Sequence, residues 1–212
     1  MNKFDNMQHY FKMDAEVNKT RVKLNFQEIV FQHFQFLIDN YGFQRTGNNL
    51  LLVRYESKNV FVEIYHDRLS YELELYIGIK ESKNESKENG YSLVEILNLA
   101  GNENLPDFKV TTPLLMENGI IIMAELLQKH ALKGILGDHV YYDQLDKIRN
   151  KMSQNVMIYY KENGIVPLVE KAWKKKDYKM VAKLLGAYEE YLTVEEKNKL
   201  EYARKQVNKE TD

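Results

Sequence analysis

The chain has no cysteine. That absence excludes disulfides, thiolate nucleophiles, Cys-ligated zinc and iron–sulfur clusters. It is compatible with a reducing compartment. Glycine and proline are sparse, at 10 and 3 of 212 residues. No G-x-x-x-x-G-K-[ST], G-x-G-x-x-G or G-x-S-x-G run occurs, so the common phosphate-cradling loops and the nucleophile elbow are missing. Gly134-Ile135-Leu136-Gly137 has no strand before it and no lysine after it, and reads as a helix end. None of the five histidines (His9, His33, His66, His130 and His139) stands four residues from another. No metal site and no cofactor are expected. The longest apolar run covers only residues 120–124, far short of the ~20 residues that span a bilayer. Residues 1–19 are polar and lack an apolar signal core. A soluble cytoplasmic protein without a membrane partner is the expectation.

A surplus of one charge is also missing. The 30 Lys/Arg against 31 Asp/Glu leave a net −1. Before Pro106 there are 12 basic and 15 acidic residues, and after it 18 and 16. Nucleic-acid binders draw most of their affinity from phosphate neutralisation and normally carry a basic excess, so nucleic acid is disfavoured as a partner.

What is present is ordinary globular composition, 44% hydrophobic and 29% charged, which excludes a mainly disordered chain. Residues 1–20 lack periodicity and read as a loose lead-in. Over residues 23–41, Phe26, Ile29, Val30, Phe34, Leu37, Ile38 and Tyr41 recur at helical spacing, with Gly42 at the stop. The period then becomes two. Residues 50–55, 60–65 and 71–79 read as an antiparallel meander, with a further strand possible at 43–46 before Gly47-Asn48-Asn49. Residues 81–90 form a polar loop. Ser92 and Glu95 have capping-box spacing and open a short helix. Thr112-Pro113 starts a buried helix reaching Leu136, and Gly137-Asp138 ends it and caps the next. That next helix covers 139–163 and is stopped by Gly164. Short helices follow at 166–176, 178–191 and 194–208, with Asp177 and the Thr193/Glu196 pair as caps. The fold class is α+β: an N-terminal helix, a three- to four-stranded antiparallel meander, and a mainly helical C-terminal half. The domains expected are an α+β core over 21–164 and a short-helix extension over 165–212 packed on it.

Strand alternation assigns the sheet faces. Val60, Val62 and Ile64 share the core face with Leu73, Leu75 and Ile77. A Ser57-Lys58 turn adds Leu51, Val53 and Tyr55 to them. The opposite face then carries Leu50, Leu52 and Arg54, with Phe61, Glu63, Tyr65, Glu72, Glu74 and Tyr76. Three readings fit it. It is a solvated face on which Arg54 pairs with a neighbouring glutamate. It is a binding face, with rigid aromatic anchors and acids that steer a basic protein. Or it is a catalytic carboxylate pair, Glu63 with Glu74, which needs a desolvated carboxyl. The binding residues expected are Arg54, Phe61, Glu63, Tyr65, Glu72, Glu74 and Tyr76.

Two other clusters invite chemistry. His66-Asp67-Arg68 falls in a hairpin turn, where turn chemistry accounts for Asp67. The basic cluster from Lys171 through Trp173, Lys174, Lys175, Lys176 and Lys179 to Lys183 offers a nucleic-acid backbone contact with a stacking Trp. Lysines at a helix end also complement its dipole.

The stretch from Val53-Arg54-Tyr55-Glu56-Ser57 through Val60-Phe61-Val62-Glu63-Ile64-Tyr65-His66-Asp67-Arg68-Leu69-Ser70-Tyr71-Glu72-Leu73 resembles a segment of small uncharacterised α+β proteins of Gram-positive bacteria. The runs Ala172-Trp173 to Asp177-Tyr178 and Leu192-Thr193 to Ala203 are similar too. Some proteins of this kind resemble immunity proteins of polymorphic or contact-dependent toxin systems. The resemblance implies a toxin-neutralising or other protein-binding role. Together with the acidic-aromatic sheet face it makes a non-enzymatic binder of a basic protein surface, such as a toxin domain, the leading expectation. It transfers no functional residue. A carboxylate-dependent hydrolase and a nucleic-acid-associated factor acting through Lys171 to Lys183 are the alternatives.

Overall fold

The computed structural model describes residues 21–80, 90–102 and 106–209. The lead-in over 1–20 and the polar loop over 81–89 lie outside the described residues. The chain divides into two compact units, Met1–Ile148 and Arg149–Asp212. The boundary expected at Gly164 is thus displaced toward the N-terminus, into the middle of a long helix.

In the first unit, the helix expected over 23–41 is two helices, α1 (Phe26–His33) and α2 (Gln35–Tyr41), joined at Phe34. Phe34 leaves helical geometry (φ −103°, ψ 8°) and is fully buried. Its ring stacks 6.3 Å from Tyr55. Core packing at one aromatic residue therefore overrides the helical run. The sheet is β1 (Gln44–Asn49), β2 (Leu52–Glu56), β3 (Val60–His66), β4 (Leu73–Ile79) and β5 (Tyr91–Ser92). It is paired in sequence order, antiparallel throughout. Gly47-Asn48-Asn49 belongs to β1 rather than to a turn. The turn is Leu50-Leu51, where Asn49 Oδ1 accepts the Leu51 N–H at 2.9 Å. Leu50 and Leu51 accordingly leave the sheet faces assigned to them. The next turn centres on Lys58-Asn59, because Ser57 N–H bonds to Val60 O at 2.8 Å. Tyr55 then pairs with Val62 and Arg54 with Glu63. This moves the expected pairing by two residues, and a two-residue shift keeps every side chain on its face.

Helices α3 (Leu93–Leu99), α4 (Pro113–His130), α5 (Leu132–Ile135) and α6 (His139–Tyr160) follow. Ser92 and Glu95 form the capping box, and Thr112 Oγ1 caps α4. Asp138 Oδ1 accepts the Val140 N–H at 2.8 Å to start α6. The main core unites Val53, Tyr55, Val62, Ile64, Leu75 and Ile77 with apolar residues of α1 to α6. It takes nothing from the other sheet face.

In the second unit the helix does not stop at Gly164. It passes through a π-turn (Lys161–Ile165) into α7 (Val166–Lys174). Pro167 cannot donate a backbone bond, and its ring crowds the carbonyl four residues earlier; the wider π-turn relieves that conflict just before it. Helices α8 (Tyr178–Gly186) and α9 (Val194–Lys209) complete the unit around Val169, Val181, Leu185, Leu200 and Ala203. Asp177 caps α8, and Thr193 with Glu196 forms the capping box of α9. No helix of the described residues is long and apolar enough to cross a membrane.

Candidate functional site: the outer face and the β4 edge

The register sets the outer face row by row. Leu52, Tyr65 and Glu74 form one row, and Arg54, Glu63 and Tyr76 the next. Glu56, Phe61 and Gly78 form the third.

The third row behaves differently from what alternation alone implies. Phe61 is buried, at 1% exposure, and stands apart from the main core. Gly78 opposite it has no side chain, so the ring lies across the strand and against Gly90. A Cβ on Gly78 would sit 2.5 Å from Phe61 Cζ, and one on Gly90 3.1 Å from Cε2. The Arg54 guanidinium covers the exposed side of the ring at 4.2 Å. Phe61 is therefore a structural residue of this face and is not available as a contact anchor. Gly78→Ala is expected to lower stability by about 1–3 kcal/mol through overpacking. Thermal unfolding measures it, and an unchanged midpoint would mean that the ring can yield.

Arg54 is committed as well. Its Nε donates to Glu56 Oε1 and its Nη1 to Glu63 Oε1, both at 2.6 Å. Lys80 Nζ adds a 2.6 Å pair with Glu56 Oε2. Burial opposes the Arg54 charge, but the bonds to Glu63 and Glu56 outweigh it and raise its pKa. The bonds from Lys80 and Arg54 hold Glu56 below the ordinary carboxylate range against its partial burial. The expected pairing of Arg54 with a neighbouring glutamate is thus present, and it closes this corner of the face on itself.

The opposite edge is arranged otherwise. Strand β5 reaches only Tyr76 and Ile77 of β4. Further along, Glu72 bridges to Lys109, Leu73 N–H bonds to Phe108 O at 3.0 Å and Val110 N–H to Tyr71 O at 2.8 Å. Between these two attachments lies a cleft of about 260 Å³. Leu73, Leu75, Leu93, Phe108 and Met123 are among its apolar lining residues, and Glu72, Glu74 and Asp107 are its acids. Glu72 and Asp107 are exposed, Glu74 half-buried. None of the three is ion-paired among the described residues. Tyr76 Oη donates to Glu74 Oε2 at 2.7 Å. Burial raises the Tyr76 pKa strongly; the bond to Glu74 and the charges of Glu74, Glu95 and Glu63 push it further. The potential here is negative.

The structure therefore gathers Glu72, Glu74 and Tyr76 at the β4 edge with Tyr65 beside Glu74. Glu63 and Arg54 belong to the self-paired corner. Glu63 does not line the cleft that Glu74 lines, so the two carboxylates of the hydrolase reading do not meet there. Sequence reasoning missed Asp107, Phe108 and Met123 in this place. The only local signal was Pro106-Asp107 in a loop, and the bridge that folds the loop onto β4 is long-range.

The turn after β3 follows turn chemistry. Asp67 Oδ1 accepts from Leu69 N–H at 2.8 Å, Ser70 N–H at 2.6 Å and Ser70 Oγ at 2.9 Å. The backbone bonds from Ser70 and Leu69 and the Ser70 hydroxyl lower its pKa. His66 is fully buried. Its Nδ1 lies 2.9 Å from Arg21 Nη1, itself 2% exposed, and Arg21 Nη2 donates to Asp67 O at 2.6 Å. In the second unit the lysines from Lys171 to Lys183 are exposed. Trp173 packs with Tyr178 and Tyr202, with ring centroids 5.5–5.7 Å apart, so its indole already has aromatic partners. Among the described residues no group of three or more His, Asp or Glu side chains comes together to hold a metal. Comparisons with protein-family models, with curated proteins and with solved structures return no match to this chain.

Proposed function

We propose that this protein is a non-enzymatic binder of a basic protein surface, and that the partner is a bacterial toxin domain which the contact neutralises. The supporting observation is the division of charge on the outer sheet face. Arg54 and Lys80 neutralise Glu56 and Glu63 internally. Glu72, Glu74 and Asp107 stand beside an open cleft without a cationic partner among the described residues. The contact is centred on Glu72, Glu74 and Tyr76, with Tyr65 at its side, and Arg54, Phe61 and Glu63 flank it on the same face. Unpaired carboxylates at a rim act chiefly on the association rate and on its salt dependence.

Affinity capture from the native host, with the wild-type chain and the Glu72→Lys/Glu74→Lys variant as parallel baits, tests the reading. A basic protein retained by the wild type and lost from the variant is expected. Its association rate should fall about tenfold or more between low and physiological salt. A partner held equally by both baits, or one whose association ignores salt, overturns the assignment.

A further inference from the structure

We propose that the cleft at the β4 edge receives one lysine or arginine side chain of the protein partner, with its aliphatic stem on Val94, Pro106 and Phe108 and its cationic head against Glu72, Glu74 and Asp107. The inference rests on the binding role proposed above and names the group that enters the site.

Size comes first. About 260 Å³ is too little for a whole cofactor or drug-sized ligand, which take roughly 300–1,000 Å³. It suits a single long side chain. Chemistry comes next. Leu73 and Leu75 point from β4 to the core side, while Glu72 and Glu74 point to the outer side, because neighbouring residues of a strand alternate. Leu73, Leu75 and Met123 are buried and close the bottom of the cleft, half-buried Val94, Pro106 and Phe108 give its accessible apolar wall, and the acids form its lip. A long cationic side chain has the same polarity along its length: methylenes that prefer apolar surface and a head that stays at the rim. An acid would meet three carboxylates. The first turn of α3 gives an anion no foothold either, since Glu95 already accepts the Ser92 N–H there at 2.7 Å. A purely apolar side chain would cover the wall but leave the lip unanswered. The negative potential felt by the Tyr76 phenol agrees with a cation at this place.

The test needs no partner. Nα-acetyl-lysine N-methylamide and its arginine counterpart are titrated into the full chain and followed by methyl and amide NMR. The norleucine derivative serves as the uncharged control. Shifts at the Val94 methyls and the Phe108 amide that saturate in the millimolar range are expected for both cations. Norleucine should bind about three- to tenfold more weakly. Glu74→Gln/Asp107→Asn, two substitutions at solvent-accessible positions, should remove that difference while leaving norleucine binding unchanged. Equal binding of norleucine and lysine derivatives, or no shift at the cleft for either cation, overturns the proposal. A failure here leaves the two-bait comparison standing. A failure of that comparison, with the amino-acid probes still seated in the cleft, removes only the toxin-binding role.

Discussion

Replacing Glu196 by alanine is expected to destabilise the C-terminal unit by about 3–5 kcal/mol, because it strands a buried charge. Lys161 is 2% exposed, and its Nζ has two partners: Glu196 Oε2 at 2.8 Å and the Tyr191 carbonyl at 3.1 Å. Burial disfavours the Glu196 carboxylate, yet the bonds from Lys161 and Thr193 hold its pKa below the usual range. The same carboxylate accepts the Thr193 N–H at 2.7 Å, so the substitution also opens the capping box. Urea unfolding followed by the single tryptophan, Trp173, reports on this unit directly. The double variant Lys161→Met/Glu196→Ala should recover most of the loss, since an apolar pair removes the uncompensated charge. A single-variant loss below about 1 kcal/mol would mean that water reaches the ammonium, as at an exposed pair.

Acidification is expected to cost the first unit about 3 kcal/mol through His66 alone. Burial, then the nearby Arg21 guanidinium, push the His66 pKa down from 6.5 to about 4. The folded chain therefore resists a proton that the unfolded chain accepts. Stability from this source is complete above pH 6.5, is lost as pH falls from there to about 4, and changes no further below it. The geometry gives the reason. Nδ1 faces Arg21 Nη1 at 2.9 Å, so it must act as an acceptor, and protonation would set two cations against each other inside the core. Unfolding free energies measured across this window in the wild type and in His66→Gln provide the check. The amide keeps an acceptor for Arg21 but cannot titrate, so the two curves should converge toward pH 4. Parallel curves would show that His66 takes up its proton without resistance.

These two side chains also show what could be read in advance. His66 lies in a turn motif, and turn chemistry did explain Asp67. It is buried against Phe26, Tyr71 and Arg21, the last forty-five residues away. Lys161 falls in a polar run before a glycine, where a helix end was the natural reading. Its carboxylate partner comes from a cap identified for a different purpose. At the candidate site, Glu72, Glu74 and Tyr76 were identifiable from alternation. That Glu63 is taken up by Arg54 while Glu72 and Glu74 are not was illegible, because it depends on which acid the Arg54 side chain reaches.

Period-two patterning and cap spacing are local, and each follows from the geometry of one strand or one helical turn. By themselves they determined the α+β class, the face membership of the residues within β2, β3 and β4, and the caps at Ser92, Thr112, Asp177 and Thr193. Packing between distant segments decided the rest. A two-residue register shift preserves both faces, so alternation could not place the second turn. Phe61 is buried because Gly78 and Gly90 leave room beneath it, and the cleft exists because Phe108 and Lys109 return to pair with β4. Such contacts depend on which surfaces meet, and that information is held by no short window of the chain.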